Sequence, residues 1–179
     1  MILDTEFDGQ TNLAKARLHT IQAYFPSREL KMWKRWESPD EKGMVGAFVE
    51  WFLGVSDKIL IGYNLLKIDI PLLLIKSIDS AQSDAFFKKI NRCNIVDLHT
   101  ILTFLNEGKI VGFNEWCERF KIPYNPPIGA EQVDEYVRLG KYDVVTRYVE
   151  EEAKAIGTLH KALYNRGKLD AALRTLMNP

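Results

Sequence analysis

The chain has 179 residues, 46% hydrophobic and 27% charged, an ordinary globular composition near the usual size of one domain, so residues 1–179 are expected to form one domain with one core. Lys plus Arg equals Asp plus Glu at 24 each, which excludes a global field that draws the protein to nucleic acid or an anionic membrane and leaves such partners to local patches. Cys93 and Cys117 are isolated thiols without CxxC or Cys/His spacing, which excludes a disulfide framework and a zinc site; with no leader pattern and no membrane-length apolar run, a reducing cytoplasm is expected.

The chain opens with ILDTEFDG, residues 2 to 9. At a strand's period of two, Leu3, Thr5 and Phe7 point one way and Asp4, Glu6 and Asp8 the other. A solvated edge strand would tolerate three carboxylates on one face, whereas a central strand would need something positive to hold them. ARLHTIQAYF, residues 16 to 25, alternates again, PSRE at 26 to 29 is expected to turn, and LKMWKRW alternates once more, so three strands of an antiparallel meander are expected. SPDE at 38 to 41 marks a helix start, with Ser38 as N-cap, Pro39 at the first position and Glu41 at the third. The helix that follows places Met44, Phe48, Trp51 and Phe52 on one side.

The continuous run Ile59, Leu60, Ile61, bounded by Gly62, reads as a buried strand parallel to the first. Pro71 opens a helix through about Ile75. NIVDLHTILTFL, residues 94 to 105, begins as a short strand and turns helical, and GFNEWCERFKI, residues 112 to 122, is a short amphipathic helix. PYNPPIG at 123 to 129 is a rigid loop. Residues 131 to about 165 are strongly helical, and after an interruption at Gly167 a terminal helix is expected to end near Met177. Strands first, then a crossover strand amid helices, make an α/β fold with a mixed central sheet flanked by helices, in an order that resembles the ribonuclease H-like architecture.

On the helix through residues 146 to 163, 100° steps put Val145, Tyr148, Ile156, Leu159 and Leu163 in one stripe. Glu152 falls in its middle, while Glu150 and Glu151 lie off it. An unpaired buried carboxylate costs several kcal/mol, so Glu152 must be salt-bridged to a core Arg or Lys, protonated, or bound to a cation. Asp69 sits between Ile68 and Ile70 at the mouth of a helix, either as a favourable charge at its positive end or as part of a site. Asp4, Glu6, Asp69 and Glu152 together would repel one another unless divalent cations neutralise them, and oxygen-rich clusters suit Mg²⁺ or Mn²⁺.

DTE at 4 to 6, GYNLLKIDIPLL around Asp69 and YVEEE at 148 to 152 resemble, in order and spacing, the three motifs of the DEDD-superfamily exonucleases of the tyrosine-type, DnaQ-like branch. The likeness is greatest to the 3′–5′ proofreading exonuclease domains of family B DNA polymerases and runs from Ile2 to about Leu163. Two positions depart from the pattern: Glu152 stands where Asp is usual, and Ile68 where an aromatic residue commonly precedes the Asp. The resemblance implies a metal-dependent phosphodiester hydrolase acting from 3′ ends, chiefly on single-stranded DNA, in replication or repair. It implies that Asp4 bridges two Mg²⁺ or Mn²⁺ ions, that Glu6 and Glu152 hold the ion that activates water, that Asp69 supports the second ion, and that Tyr148 orients the attacking water. Phe7 and Tyr63 would stack unpaired bases, with Asn64 beside them on the substrate.

Asp8 and Asp97 are further acids near the expected site, each also readable as a turn or strand-end residue. His19, His99 and His160 read as structural. The cluster Lys31, Lys34 and Arg35 with Trp33 and Trp36, and the run Lys88, Lys89, Arg92, read as solvated charge or as phosphate contacts. A catalytically silent binding or scaffold module, and RNA in place of DNA, are the competing readings, with Glu152 the feature that favours the former.

Overall fold

The computed structural model describes residues 1–25, 30–56, 59–165 and 167. The turn expected at 26 to 29 and the helix expected after Gly167 lie outside these residues. Five strands, β1 (Ile2–Phe7), β2 (Leu18–Tyr24), β3 (Lys31–Lys34), β4 (Ile59–Gly62) and β5 (Asn94–Asp97), form one sheet in the order β3-β2-β1-β4-β5. β1 to β3 are the expected antiparallel meander, and β4 joins β1 and β5 in parallel. The sheet is therefore mixed, and the acidic opening strand lies at its centre.

Helices α1 (Glu41–Gly54), α2 (Asp69–Lys76) and α3 (Ser83–Ile90) pack on one face, and α4 (Leu98–Leu105), α5 (Phe113–Phe120) and α7 (Tyr142–Asn165) on the other. Strand alternation divides the apolar residues accordingly. Leu3, Leu60 and Ile21 meet Phe48, Phe52 and Phe86, while Ile2 and Ile61 meet Ile156, Leu159 and Leu102. A third group, Ile128, Val133, Val145, Tyr148 and Val149, closes the start of α7 over the short helix α6 (Val133–Arg138). The one core expected from the sequence is thus divided by the sheet. No helix among the described residues is long and apolar enough to cross a membrane.

Two local expectations are corrected and one helix is added. The N-cap of α1 is Asp40, whose Oδ1 accepts from Gly43 N at 2.6 Å, and not Ser38. Residues Arg35–Glu37 form a 3₁₀ turn, and the Ser38 hydroxyl is spent donating to Lys34 O at 3.0 Å, so the next carboxylate takes the cap. The helix expected from 131 is split: Gly140, at φ 68°, donates to Val137 O, and Lys141 N reaches back to Tyr136 O, an ending that only a left-handed residue permits. α3 has no counterpart in the sequence reading, because only Phe86 and Ile90 of its residues are buried and two contacts do not make a visible stripe.

Gly62 ends β4 where the backbone turns towards α2. A Cβ there would lie 2.8 Å from Leu3 O and 3.0 Å from Leu65 Cβ, so only glycine lets the loop that carries Asp69 approach β1. Gly62→Ala should destabilise the protein by about 1–3 kcal/mol, read from denaturant midpoints. Gly46→Ala, at a helical position with nothing within 4 Å of the added carbon, should not destabilise it.

Candidate active site

β1 carries Asp4 and Glu6 on the face that also bears Ile2, beneath α7. Both are buried, at 9% and 7% exposure, so the solvated-edge reading does not hold. Gln22 lies opposite Asp4 on β2 and donates from Nε2 to Asp4 Oδ2 at 2.6 Å. Thr20, opposite Glu6, donates its hydroxyl to Gln22 Oε1 at 3.0 Å, which fixes the direction of the amide. Cross-strand pairing thus aims the Asp4 carboxyl before any ligand arrives.

Asp69 begins α2, and its Oδ1 accepts the Thr5 hydroxyl at 2.6 Å. Pro71 sits in the same first turn, where its missing N–H costs nothing. The loop between β4 and α2 is pinned by Asp97. Its Oδ1 accepts from Asn64 N at 3.1 Å and Thr100 N at 3.3 Å, and its Oδ2 from Leu66 N at 2.9 Å. Asp97 is therefore the cap of α4 and the anchor of the Asp69 loop. Asp8 leaves the acidic face because the register shifts after Glu6, and its carboxylate binds Arg17 at 3.0 Å.

α7 supplies the fourth carboxyl. Glu152 is half-buried beside Glu6 and beside Tyr148 one turn earlier, and Tyr148 neighbours Tyr124 of the proline-rich loop. Carboxylate oxygens of Asp4, Glu6 and Glu152 all lie within 4.8 Å of one another. Among the described residues, no Lys or Arg forms an ion pair with these three or with Asp69. Among the described residues, the salt bridge that would hold Glu152 is therefore not formed.

The electrostatics follow from that geometry. Burial, then repulsion from Glu152, pushes Asp4 and Glu6 well above the usual carboxylate range. Burial pushes Asp69 up to about 7 and raises Glu152 as well. Tyr148 is driven up by burial and by the charge of Glu6, so it remains a hydroxyl donor. An all-oxygen donor set that repels itself, with no basic partner among the described residues, fits a hard divalent cation such as Mg²⁺ or Mn²⁺.

Tyr148 and Glu152 face a cleft of about 460 Å³ lined also by Phe113, Asn114, Glu118, Tyr124 and Glu131. Of the residues read as substrate contacts, none lines it. Phe7 packs against the α1–α3 core, Tyr63 donates its hydroxyl to Val111 O at 2.8 Å and contacts the His99 and Phe113 rings, and Asn64 holds φ 66° in the Asp97-anchored loop. Thr5, Thr20, Gln22 and Tyr124 are the residues that sequence reasoning did not place here, whereas Asp97, read as a further acid near the site or a strand-end residue, is the strand-end anchor. For Thr20 and Gln22 the signal was present, since alternation sets both on one face of β2; for Tyr124 it was not.

These shifts set a sign for pH dependence. Asp69 titrates at about 3.8 when unfolded and about 7 when folded, so between those values the folded state holds the extra proton. Stability without divalent metal should therefore fall as pH rises from about 4 to about 7, by several kcal/mol in all. Thermal melts in EDTA should show this decline, and Asp69→Asn should lessen it while leaving the part that Asp4, Glu6 and Glu152 contribute.

No protein-family model matches the chain, and no curated protein matches it by sequence. Among solved structures, it matches the family B DNA polymerase of the hyperthermophilic archaeon Pyrobaculum calidifontis with a TM-score of 0.70 at 16% identity. The match covers 91% of this chain and 24% of the polymerase, so the chain spans about a quarter of that protein's length. At this identity the likeness is one of fold: the chain has the α/β, ribonuclease H-like arrangement of a mixed five-stranded sheet flanked by helices.

Proposed function

We propose that the protein is a metal-dependent 3′–5′ exonuclease acting on single-stranded DNA. The observation that carries the proposal is the convergence of Asp4, Glu6, Asp69 and Glu152, from three elements, on one place without a basic partner among the described residues. The order of the three acidic motifs and the fold shared with a family B DNA polymerase support it.

Asp4, Glu6 and Glu152 would hold Mg²⁺ or Mn²⁺, with Asp69 contributing to a second position beside Thr5. When bound, such ions supply Lewis-acid stabilisation of the attacking and leaving oxygens of an in-line phosphodiester hydrolysis. Gln22 keeps the Asp4 oxygens aimed, and the raised affinity of these carboxyls for protons means that protons leave as the cations enter. Tyr148, held protonated, offers a hydroxyl that orients the attacking water next to Glu152. The product of each cycle is a nucleoside 5′-monophosphate.

One observation favours a second reading. Glu152 is one methylene longer than the aspartate usual in the motif, and it meets Glu6 directly. A silent module that retains the fold would tolerate this. Glu152→Asp separates the two: a large gain of activity marks a degenerate site, and a loss shows that α7 is set back to suit glutamate.

The proposal is tested with 5′-labelled single-stranded DNA and Mg²⁺ or Mn²⁺. A ladder descending from the 3′ end is expected, abolished by EDTA and, by at least about a hundredfold, by Asp4→Ala. Asp4→Ala should remain folded, and in EDTA should melt no lower than wild type because repulsion is relieved. Intact DNA with both metals would contradict the proposal for DNA, and labelled RNA run in parallel decides the sugar.

A further inference from the structure

A second cleft, of about 550 Å³, opens where β2 begins. Its wall includes Leu18 and His19, next along β2 to Thr20, which faces Glu6. Arg17, Arg35 and Arg138 bring three guanidiniums to it from a loop, a 3₁₀ turn and α6. Two of them share one carboxylate: Asp134 accepts from Arg138 Nε at 3.0 Å and from Arg17 at 3.5 Å, and also holds His19 Nε2 at 3.0 Å. Arg35 forms no ion pair among the described residues and donates only to Ser38 O, at 3.4 Å. Glu41, the remaining acid of the wall, is matched by Lys76 at 2.8 Å.

Trp36 and Tyr142 complete the wall as a parallel stack, with ring centroids 4.6 Å apart and 6° between planes. Both keep part of their surface open to solvent. Guanidiniums beside a flat aromatic surface are the elements by which proteins hold single strands, phosphates on the cations and a base against the ring. Tyr142 lies on α7 six residues before Tyr148, about 9 Å along the helix axis. The first cleft offers the opposite chemistry: Glu118, Glu131 and Glu152 line it, with no Lys or Arg among its described residues.

The two halves of the cluster read from sequence as Lys31 to Trp36 separate accordingly. Lys31 lies over the Trp33 and Trp51 rings and Lys34 pairs with Glu37, whereas Arg35 and Trp36 reach the cleft. Of the other basic run, Lys89 caps α1 through Leu53 O and Val55 O. Lys88 and Arg92 lie by the start of β5, away from the strand ends that carry the acids.

We propose that the cleft formed by Arg17, Arg35, Arg138, Trp36 and Tyr142 is a binding track for the nucleic-acid strand that leads away from the acidic site. The inference rests on the nuclease reading for its substrate, and it is tested by binding alone. Fluorescence anisotropy of a labelled trinucleotide and a labelled decanucleotide of single-stranded DNA is measured in EDTA against salt. Wild type should bind the decanucleotide more tightly. Arg35→Ala with Arg138→Ala should weaken that binding about tenfold and flatten log K against log salt by about 1.4, for two lost phosphate contacts. Tyr142→Ala alone should lower affinity with no change of slope, which keeps the test decisive if the double variant folds poorly. Lys88→Ala with Arg92→Ala should change neither quantity.

Unchanged affinity and slope in the cleft variants, or a loss confined to the Lys88 and Arg92 variant, would overturn the track. Binding of this pattern by a protein that hydrolyses nothing would leave the track standing and remove the nuclease reading. Hydrolysis with binding indifferent to Arg35, Arg138 and Tyr142 would do the reverse.

Discussion

Four carboxyls, three of them buried and three of them with oxygens within 4.8 Å of one another, with no ammonium or guanidinium paired to them among the described residues, form the interaction on which the rest of the molecule depends. Left charged, such a group would push the sheet and α7 apart. Burial and mutual repulsion instead raise Asp4, Glu6 and Asp69 towards the protonated form, and polar neighbours lie beside their oxygens. The Thr5 hydroxyl donates to Asp69 and the Gln22 amide to Asp4, while Tyr148 lies beside Glu152. The arrangement is costly for an empty protein and becomes favourable when divalent cations replace the protons.

The fold brings the acids together by distributing them. β1 lies at the sheet centre, where the antiparallel β2 supplies Gln22 and the parallel β4 leads into the Asp69 loop. The far side is closed by α7, which packs through Ile156 and Leu159 against Ile2 and thereby sets Glu152 over Glu6. Asp97 ties α4 to the Asp69 loop, so two helices and two strands share the task of fixing one carboxyl. Ligand chemistry at the carboxyl ends of parallel strands, where the direction of pairing changes, is a general property of such sheets.

Much of this was legible in the residues. Period-two alternation at 2 to 7, 18 to 24 and 31 to 34 marks the meander, and the 100° stripe on α7 singles out Glu152 from three adjacent glutamates. What stayed hidden depended on tertiary contact. The cap of α1 fell to Asp40 because Ser38 was occupied by the turn before it, α3 buries too few residues to show a period, and the break at Gly140 interrupts a run of good helix formers. Within the site, the Tyr63 hydroxyl is committed to Val111 O, and Asp97, readable from sequence as a further acid or a strand-end residue, is the strand-end anchor. Single positions do not reveal which hydrogen bonds they will be committed to.

The central claim is that the cluster exchanges protons for cations, and calorimetric titration with Mn²⁺ at about pH 7 in two buffers of different ionisation enthalpy tests it most directly. The account predicts binding whose apparent heat differs between the buffers in the sense of proton release, and the loss of that release in Asp4→Asn. Mn²⁺ binding with the same heat in both buffers, or no binding at all, would contradict it.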